Sequence, residues 1–173
     1  MHYTQTISSP LGNILLSADE VGLTGLWFDG GRYYADTLPE EHVERETPIL
    51  MDTKRWLDVY FTGREPDFTP LLHPTGSPFR QTVWQLLLEI PYGQTTTYGA
   101  LAKRLNAGRM SAQAVGGAVG HNPISIIVPC HRVVGTNGSL TGYAGGLDRK
   151  IRLLEIEQTD MHGLFRPKKG TAI

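Results

Sequence analysis

Residues 124–132 read Ile-Ser-Ile-Ile-Val-Pro-Cys-His-Arg. The apolar, β-branched run 124–128 predicts a short buried strand, and Pro129 ends it because proline cannot donate to the hydrogen-bond ladder of a sheet. Cys130 then lies at the mouth of that strand. As the only cysteine of the chain, it can form neither an internal disulfide nor a zinc site of several cysteines. Either an inert core thiol or a reactive thiol fits this pattern.

The histidine after the cysteine favours the reactive alternative. A thiol with a pKa of about 8.5 needs a base or a positive neighbour to become a nucleophile. In an extended chain, however, the side chains of Cys130 and His131 point to opposite faces. We therefore expect His131 to reach the thiol through a local turn or a bridging water.

The sequence before this stretch predicts a small α/β unit. Turn signals separate three short apolar stretches, which favours an antiparallel meander. The stretches are residues 3–7, 13–17 and 23–28. Apolar residues at helical spacing predict a helix over 49–61 that packs on the sheet. The segment 66–77, rich in Pro, Thr and Gly, indicates a linker.

Beyond the linker the pattern is mainly helical. It predicts a helix over 79–90, a helix with Thr97 as its N-cap, a turn over 106–110 and a helix from Ser111 to Gly120. The last three make a helix-turn-helix arrangement, although many helical hairpins bind nothing. Two mid-helix glycines cost roughly 1 kcal/mol each against alanine, so either tight internal packing or approach to a narrow DNA groove should compensate.

Charge divides the chain into two unlike parts. Residues 1–75 hold 5 basic and 12 acidic residues, a net charge of −7, whereas residues 76–173 hold 11 and 5, a net charge of +6. We expect an N-terminal α/β domain over 1–75 and a second domain over 76–173 that faces a polyanion. Two solvated surfaces that merely differ are the alternative. No signal segment and no run of ~18 apolar residues is evident, so we expect a cytoplasmic protein without a membrane segment.

Several segments of the second part, in the correct order, closely resemble the O6-alkylguanine-DNA alkyltransferases. The segments are 90–98, 114–118, 122–123, 129–134 and 142–146, followed by Lys150. The Pro-Cys-His-Arg core with its flanks is specific to that family, whereas residues 1–75 match only in general character.

The resemblance implies an α+β fold, with a small ribonuclease-H-like α/β domain followed by a mainly helical domain that carries a helix-turn-helix. It also implies irreversible transfer, once per molecule, of a methyl or other alkyl group from O6-alkylguanine to Cys130, with O4-alkylthymine as a further candidate substrate. The partner would be double-stranded DNA, bound through its minor groove with the damaged base flipped out. This hypothesis needs a sulfur poised as an anion beside a cavity that admits one purine.

Catalytic roles carry over by resemblance to four residues. Cys130 matches the alkyl acceptor, His131 the water-mediated base, Glu157 the carboxylate that orients the histidine, and Tyr98 the donor of a proton toward the departing guanine. From the pattern alone, Glu157 would be an exposed carboxylate at the end of a helix and Tyr98 a core aromatic.

Roles in binding carry over in the same way. Asn122 resembles a hinge between the recognition helix and the active-site strand, and Lys150 resembles a residue that pins a loop. The residues that resemble the lining of the alkylguanine pocket are Val133, Tyr143, Ala144 and Gly145. A turn residue, a solvated lysine and a glycine-rich surface loop are the alternative interpretations.

One position departs from the family pattern. Gln113 stands where many members have an arginine that fills the gap left by the flipped guanine, and it cannot supply that positive charge. Arg109 is a candidate to supply it instead. Six histidines and one already assigned thiol make a structural zinc improbable, and no cofactor is implied. We expect a monomer.

Two rival functions stay open. A lesion-binding protein without chemistry, as in alkyltransferase-like proteins, would lack the cysteine. A cysteine hydrolase using Cys130, His131 and Glu157 would turn over many substrates, so stoichiometry separates it from the suicide transferase.

Overall fold

The computed structural model describes residues 1–105 and 112–167. Its first part is a four-stranded sheet with the order β3-β2-β1-β4. The strands are β1 (His2–Ile7), β2 (Ile14–Ala18), β3 (Leu23–Phe28) and β4 (His42–Glu44). The predicted antiparallel meander is confirmed in β1 to β3. Strand β4 was not predicted, because its three exposed residues carry no apolar alternation; it pairs parallel to β1.

Helix α1 (Pro48–Tyr60) packs on this sheet, as predicted. The Thr47 side chain caps it by accepting the Leu50 N–H, and proline fits the first turn because its missing N–H is not needed there. The side chains on its sheet-facing side recur at helical spacing and are buried. They are Leu50, Thr53, Trp56, Leu57 and Tyr60.

The segment predicted as a linker is held against the edge of the sheet. The Leu23 N–H donates to the Leu71 carbonyl at 2.7 Å, and the His73 N–H donates to the Leu23 carbonyl at 2.7 Å. These bonds extend the sheet beyond β3 by one bridge.

The second part is mainly helical, so the α+β class is confirmed. Its elements are α2 (Pro78–Leu87), β5 (Thr96–Thr97), α3 (Tyr98–Arg104), α4 (Ala112–Gly120), β6 (Val133–Val134) and α5 (Leu147–Ile156). Thr97 caps α3 as predicted, accepting the Ala100 N–H at 3.0 Å. The predicted turn 106–110, with Arg109, and the Ser111 cap lie outside the described residues. No helix within residues 1–105 and 112–167 could cross a bilayer.

The predicted strand 124–128 is wrong. Only Ile124 forms an isolated bridge, with Leu26, and the chain then turns. The Asn122 side chain shapes this turn: its amide donates to the carbonyls of Ile124 at 3.2 Å and Val128 at 2.8 Å, and its oxygen accepts the Ile124 N–H at 2.9 Å. Ile126 adopts φ 70°, a strained value for a β-branched residue. The apolar run therefore reflected burial rather than strand structure.

One apolar core connects both parts of the chain, from Ile14 in β2 to Leu153 in α5. The Trp84 indole of α2 donates to the Ala118 carbonyl of α4 at 2.8 Å and fixes these helices to each other. The α4 glycines face more open space. Among the described residues, a Cβ at Gly116 would lie 4.0 Å from the Tyr98 ring, and one at Gly117 would meet nothing within 4 Å. Tight internal packing therefore does not explain Gly117.

Candidate active site

Cys130 opens a single 3-10 turn, Cys130–Arg132, directly after the Asn122 turn. Its side chain is buried, with 4% of the residue exposed. Burial raises the pKa of the thiol, against the Asn122 amide and the Lys150 ammonium, which lower it. Burial therefore favours the neutral thiol over the anion in the free protein. A base has to remove its proton during the reaction.

His131 is fully buried and lies beside a carboxylate. Its Nε2 is 2.6 Å from Glu157 Oε2, while its Nδ1 has no hydrogen-bond partner among the described residues. Burial lowers the pKa of His131, although Glu157 opposes this shift, so the ring is neutral near pH 7. Because the ionised Glu157 can only accept, we assign the proton to Nε2, which leaves the Nδ1 lone pair free to accept one.

The 3-10 turn does not join the two side chains directly. No hydrogen bond between His131 and Cys130 is found within the described part of the chain. Of the two routes predicted for their contact, the bridging water is the one compatible with the free Nδ1.

Glu157 follows α5 and is buried, not exposed as its helical context suggested. Its Oε2 accepts from His131 at 2.6 Å, the Tyr60 hydroxyl at 2.7 Å and Arg132 Nη2 at 3.1 Å. Its Oε1 accepts from Arg132 Nε at 2.8 Å and the Gly93 N–H at 3.1 Å. Burial favours the neutral acid, but the bonds and charges of His131 and Arg132 outweigh it and hold the pKa of Glu157 far below its usual range.

Two of these partners, Arg132 and Tyr60, were not among the predicted site residues. Arg132 also donates Nη1 to the Ile90 carbonyl at 2.7 Å, so its guanidinium is fully fixed. Its place beside His131 in the motif was a usable signal, because a buried carboxylate needs a cation. Tyr60 gave none, since its partner is 97 residues away.

Lys150, which the resemblance assigns to pinning a loop, is completely buried, so the alternative of a solvated lysine is wrong. Its Nζ donates to the carbonyls of Val133 at 2.6 Å and Thr141 at 2.7 Å, which ties α5 to β6 and to the following loop. Burial lowers its pKa to about 8, and the nearby Cys130 opposes that shift. Lys150 therefore places a positive charge close to the sulfur at neutral pH.

Two tyrosines complete the surroundings of the thiol. Tyr98 at the start of α3 donates its hydroxyl to the carbonyls of Thr141 or Gly142, each at 3.3 Å. Tyr143 is buried, with 6% exposed. Burial raises the pKa of both phenols well above the ordinary value, and Cys130 raises it further when its sulfur is ionised. Both hydroxyls therefore keep their protons.

A small cavity lies beside Asn122, Ser125, Ala144 and Gly145, with a volume of about 10 Å³. Such a volume holds about one water and no purine. Residues of the first part also line it: the Arg32 N–H donates to the Ala144 carbonyl at 2.7 Å, and the Tyr33 ring stacks on His121 at 4.0 Å between ring centroids.

The remaining predicted residues lie apart from the thiol or within the core. Val133 is fully buried in β6, paired with Thr96. Gln113 is exposed near the start of α4. The described residues contain no group of three or more His, Cys, Asp or Glu side chains that could hold a metal ion.

The geometry defines a class of protein: one with a buried thiol nucleophile beside a neutral imidazole that a carboxylate orients. Family models agree and are more specific. One described as "6-O-methylguanine DNA methyltransferase, ribonuclease-like domain" matches residues 1–73, and one described as "6-O-methylguanine DNA methyltransferase, DNA binding domain" matches residues 78–159. The chain therefore belongs to the 6-O-methylguanine DNA methyltransferase family, which confirms the resemblance.

Individual relatives match over nearly the whole chain. A "Methylated-DNA--protein-cysteine methyltransferase" of Methanosarcina acetivorans is 46% identical over 155 residues, 90% of this chain and 97% of that protein. One of Haemophilus influenzae is 41% identical and covers 91% of this chain and 87% of its own. The crystal structure of Mycobacterium tuberculosis OGT in complex with DNA superposes with a TM-score of 0.80 at 41% identity, over 90% of this chain and 92% of that one.

Proposed function

We propose that this protein repairs alkylated DNA by transferring a methyl or other alkyl group from O6-alkylguanine to Cys130, irreversibly and once per molecule. The observation that carries the proposal is the buried pair of His131 and Glu157 directly after the single cysteine, with Nδ1 of the histidine free. The names of its relatives, and the complex of the Mycobacterium tuberculosis protein with DNA, support the same substrate class.

The reaction begins with the thiol proton. His131 Nδ1 accepts it through a water, and Glu157 stabilises the imidazolium that forms. The thiolate attacks the alkyl carbon in line, so that the S–C bond forms while the C–O6 bond breaks and its electron pair moves to the guanine. Lys150 lowers the energy of the thiolate through its nearby charge.

The departing guanine then needs a proton. Tyr98 keeps its hydrogen because burial and the Cys130 charge raise its pKa, so its hydroxyl can donate toward the ring. The proton held on His131 then passes through solvent to restore the Tyr98 hydroxyl. The thiol proton has thereby moved to the guanine, which departs as a neutral base. The thioether on Cys130 is not hydrolysed by water, so the protein does not turn over, and the reaction needs no cofactor.

DNA binding rests on the second part of the chain. Its net charge of +6 suits a polyanion, and the open space beside Gly117 suits a groove. We propose that α3 and α4 act as a helix-turn-helix and that the exposed Gln113 takes the place of the flipped base. A division into a ribonuclease-H-like domain (1–75) and a DNA-binding domain (76–173), a cytoplasmic location and a monomeric state belong to the same proposal.

The test is the intact mass of the protein after incubation with a duplex that contains one O6-methylguanine. We expect a gain of one methyl group per molecule, located on Cys130 by peptide mapping, and none in Cys130→Ser. An unmodified wild-type protein that also releases no methanol would leave only the lesion-binding alternative. Methanol release beyond one equivalent per protein would favour the hydrolase.

A further inference from the structure

Tyr60 lies in α1, in the first part of the chain, yet its hydroxyl reaches the carboxylate behind the reactive histidine. The ring is fully buried and is held by Trp56, stacked at 5.2 Å, and by Tyr92, edge-on at 6.2 Å between centroids. The hydroxyl is 2.7 Å from Glu157 Oε2 and 3.5 Å from the Leu153 carbonyl. The short bond to the carboxylate is therefore its principal one.

The oxygen that Tyr60 contacts is the same one that His131 uses. Oε2 accepts from His131 Nε2 at 2.6 Å and from Tyr60 at 2.7 Å, with Arg132 Nη2 at 3.1 Å. A donor that withdraws charge from a shared acceptor weakens the attraction between that acceptor and a second donor. Each donor to Oε2 thus sets how strongly the carboxylate favours the imidazolium.

We propose that Tyr60 is a positioning residue for alkyl transfer: by donating to Glu157 Oε2, it lowers the basicity of His131 and keeps the ring neutral at the pH of the reaction. This inference deepens the proposed function and rests on it, because it assumes that neutral His131 receives the thiol proton. Through Tyr60 in α1, the first part of the chain then influences the proton transfer at His131.

Several other charged or titratable groups face this pair and remain unchanged by the test. Arg132 contacts both oxygens of Glu157, and Lys150 in α5 lowers the pKa of His131 together with Arg132. The charge of Glu157 contributes to raising the pKa of Tyr92 and Tyr143, although neither hydroxyl is hydrogen-bonded to that carboxylate within the described residues. Among the described residues that donate to Glu157, only Tyr60 is a neutral side chain whose hydrogen bond can be removed by deleting one oxygen atom.

The experiment compares wild type with Tyr60→Phe. The rate of methyl transfer in a single turnover is measured from pH 5 to 9, and the ring nitrogens of His131 are titrated by NMR in the unreacted protein. Loss of the donor should raise the pKa of His131, so that the acid limb of the rate profile and the NMR titration both move up by about half to one pH unit. Affinity for undamaged duplex DNA should not change, because Tyr60 is buried away from the surface.

Tyr92→Phe is the matched control. It deletes a phenol oxygen from the neighbouring ring, which has no hydrogen-bond partner among the described residues, so both measurements should coincide with wild type. Replacement of Tyr60 by 3-fluorotyrosine, a more acidic and stronger donor, should move both measurements to lower pH and serves if Tyr60→Phe folds poorly.

The outcomes separate the two proposals. Coinciding titrations of wild type and Tyr60→Phe, or a shift to lower pH in Tyr60→Phe, would overturn the role of Tyr60 even if methyl transfer occurs. Failure of wild type to accept a methyl group would overturn the proposed function, while the NMR titration would still report whether Tyr60 tunes His131.

Discussion

The charged carboxylate of Glu157 is buried away from water, and its hydrogen-bond partners each have a different effect on it. The Arg132 guanidinium keeps the carboxylate ionised, and the carboxylate in turn orients His131. Tyr60 donates to Oε2, the same oxygen that His131 contacts. The carboxylate is therefore both a catalytic support and the counterion of a buried guanidinium. Replacing it should affect activity and stability together.

Glu157→Gln removes the charge but keeps the shape. We expect the single-turnover rate to fall by roughly 10²–10⁴, because His131 loses the group that orients and stabilises its protonated form. The free energy of unfolding should fall by about 3–5 kcal/mol, since Arg132 is left without its counterion. Urea denaturation and quenched-flow assays measure these effects.

The pH dependence of that stability loss has a definite sign. The pKa of Glu157 is lowered in the folded protein, so its contribution is complete above the pKa of the unfolded chain, about 4.3, and is lost as the pH falls toward the folded value. The difference in the free energy of unfolding between wild type and Glu157→Gln should therefore shrink below about pH 4. Glu155→Gln, on the exposed side of α5, is the control and should stay within about 0.5 kcal/mol of wild type at every pH.

Helix α4 consists almost entirely of small residues, which is unusual for a helix. It is short of bulky side chains, leaves open space at Gly117 and carries Gln113 exposed near its start. An uncharged residue at this position can fill space and form hydrogen bonds, but it releases no counterion from DNA. Binding should therefore depend less on salt than an arginine there would make it.

Gln113→Arg tests this point. The variant should bind duplex DNA more tightly at low salt, with a plot of log K against log salt steeper by about one unit, while its reaction with a free-base pseudosubstrate stays unchanged. Gln85→Arg, which adds the same charge on the exposed side of α2, is the control. Equal salt dependence for wild type and Gln113→Arg would refute the assignment, and equal gains in both variants would show that net charge alone is responsible.

Elements defined by local pattern were predictable, and those defined by distant partners were not. Strands β1 to β3 follow from short apolar stretches between turn signals, and helix α1 follows from apolar residues at helical spacing. The run 124–128 misled because apolar content indicates burial, whereas its backbone path is set by the side chain of Asn122. Tyr60 looked like one more core aromatic, because only the fold brings it to Glu157.

At the scale of the whole molecule, the sulfur sits inside a core shared by the sheet and the helices. Cys130 belongs to the same apolar cluster as Ile14 and Leu153, and only 4% of the residue is exposed. Interiors of this density have little room for an added methyl group. We therefore expect a methyl group on Cys130 to overpack the core.

Methylation of Cys130 should lower the stability of the protein. Added methylenes in packed cores cost about 1–3 kcal/mol, which corresponds to a fall in Tm of roughly 2–10 °C at this chain length. Calorimetry before and after reaction with one equivalent of O6-methylguanine duplex measures the change, after the DNA product has been removed. Cys130→Ser taken through the same treatment should show none, and an unchanged or higher Tm of the methylated protein would refute the expectation.

The order of residues around Glu157 also bears on synthesis at the ribosome. Its donors come from residues 60, 93, 131 and 132, all of which leave the exit tunnel before the carboxylate itself. A nascent chain that stops short of residue 157 therefore has a thiol and an imidazole but nothing to orient them. The buried ion pair, and the orientation of His131 that depends on it, can therefore form only after residue 157 has been made and has folded onto these donors.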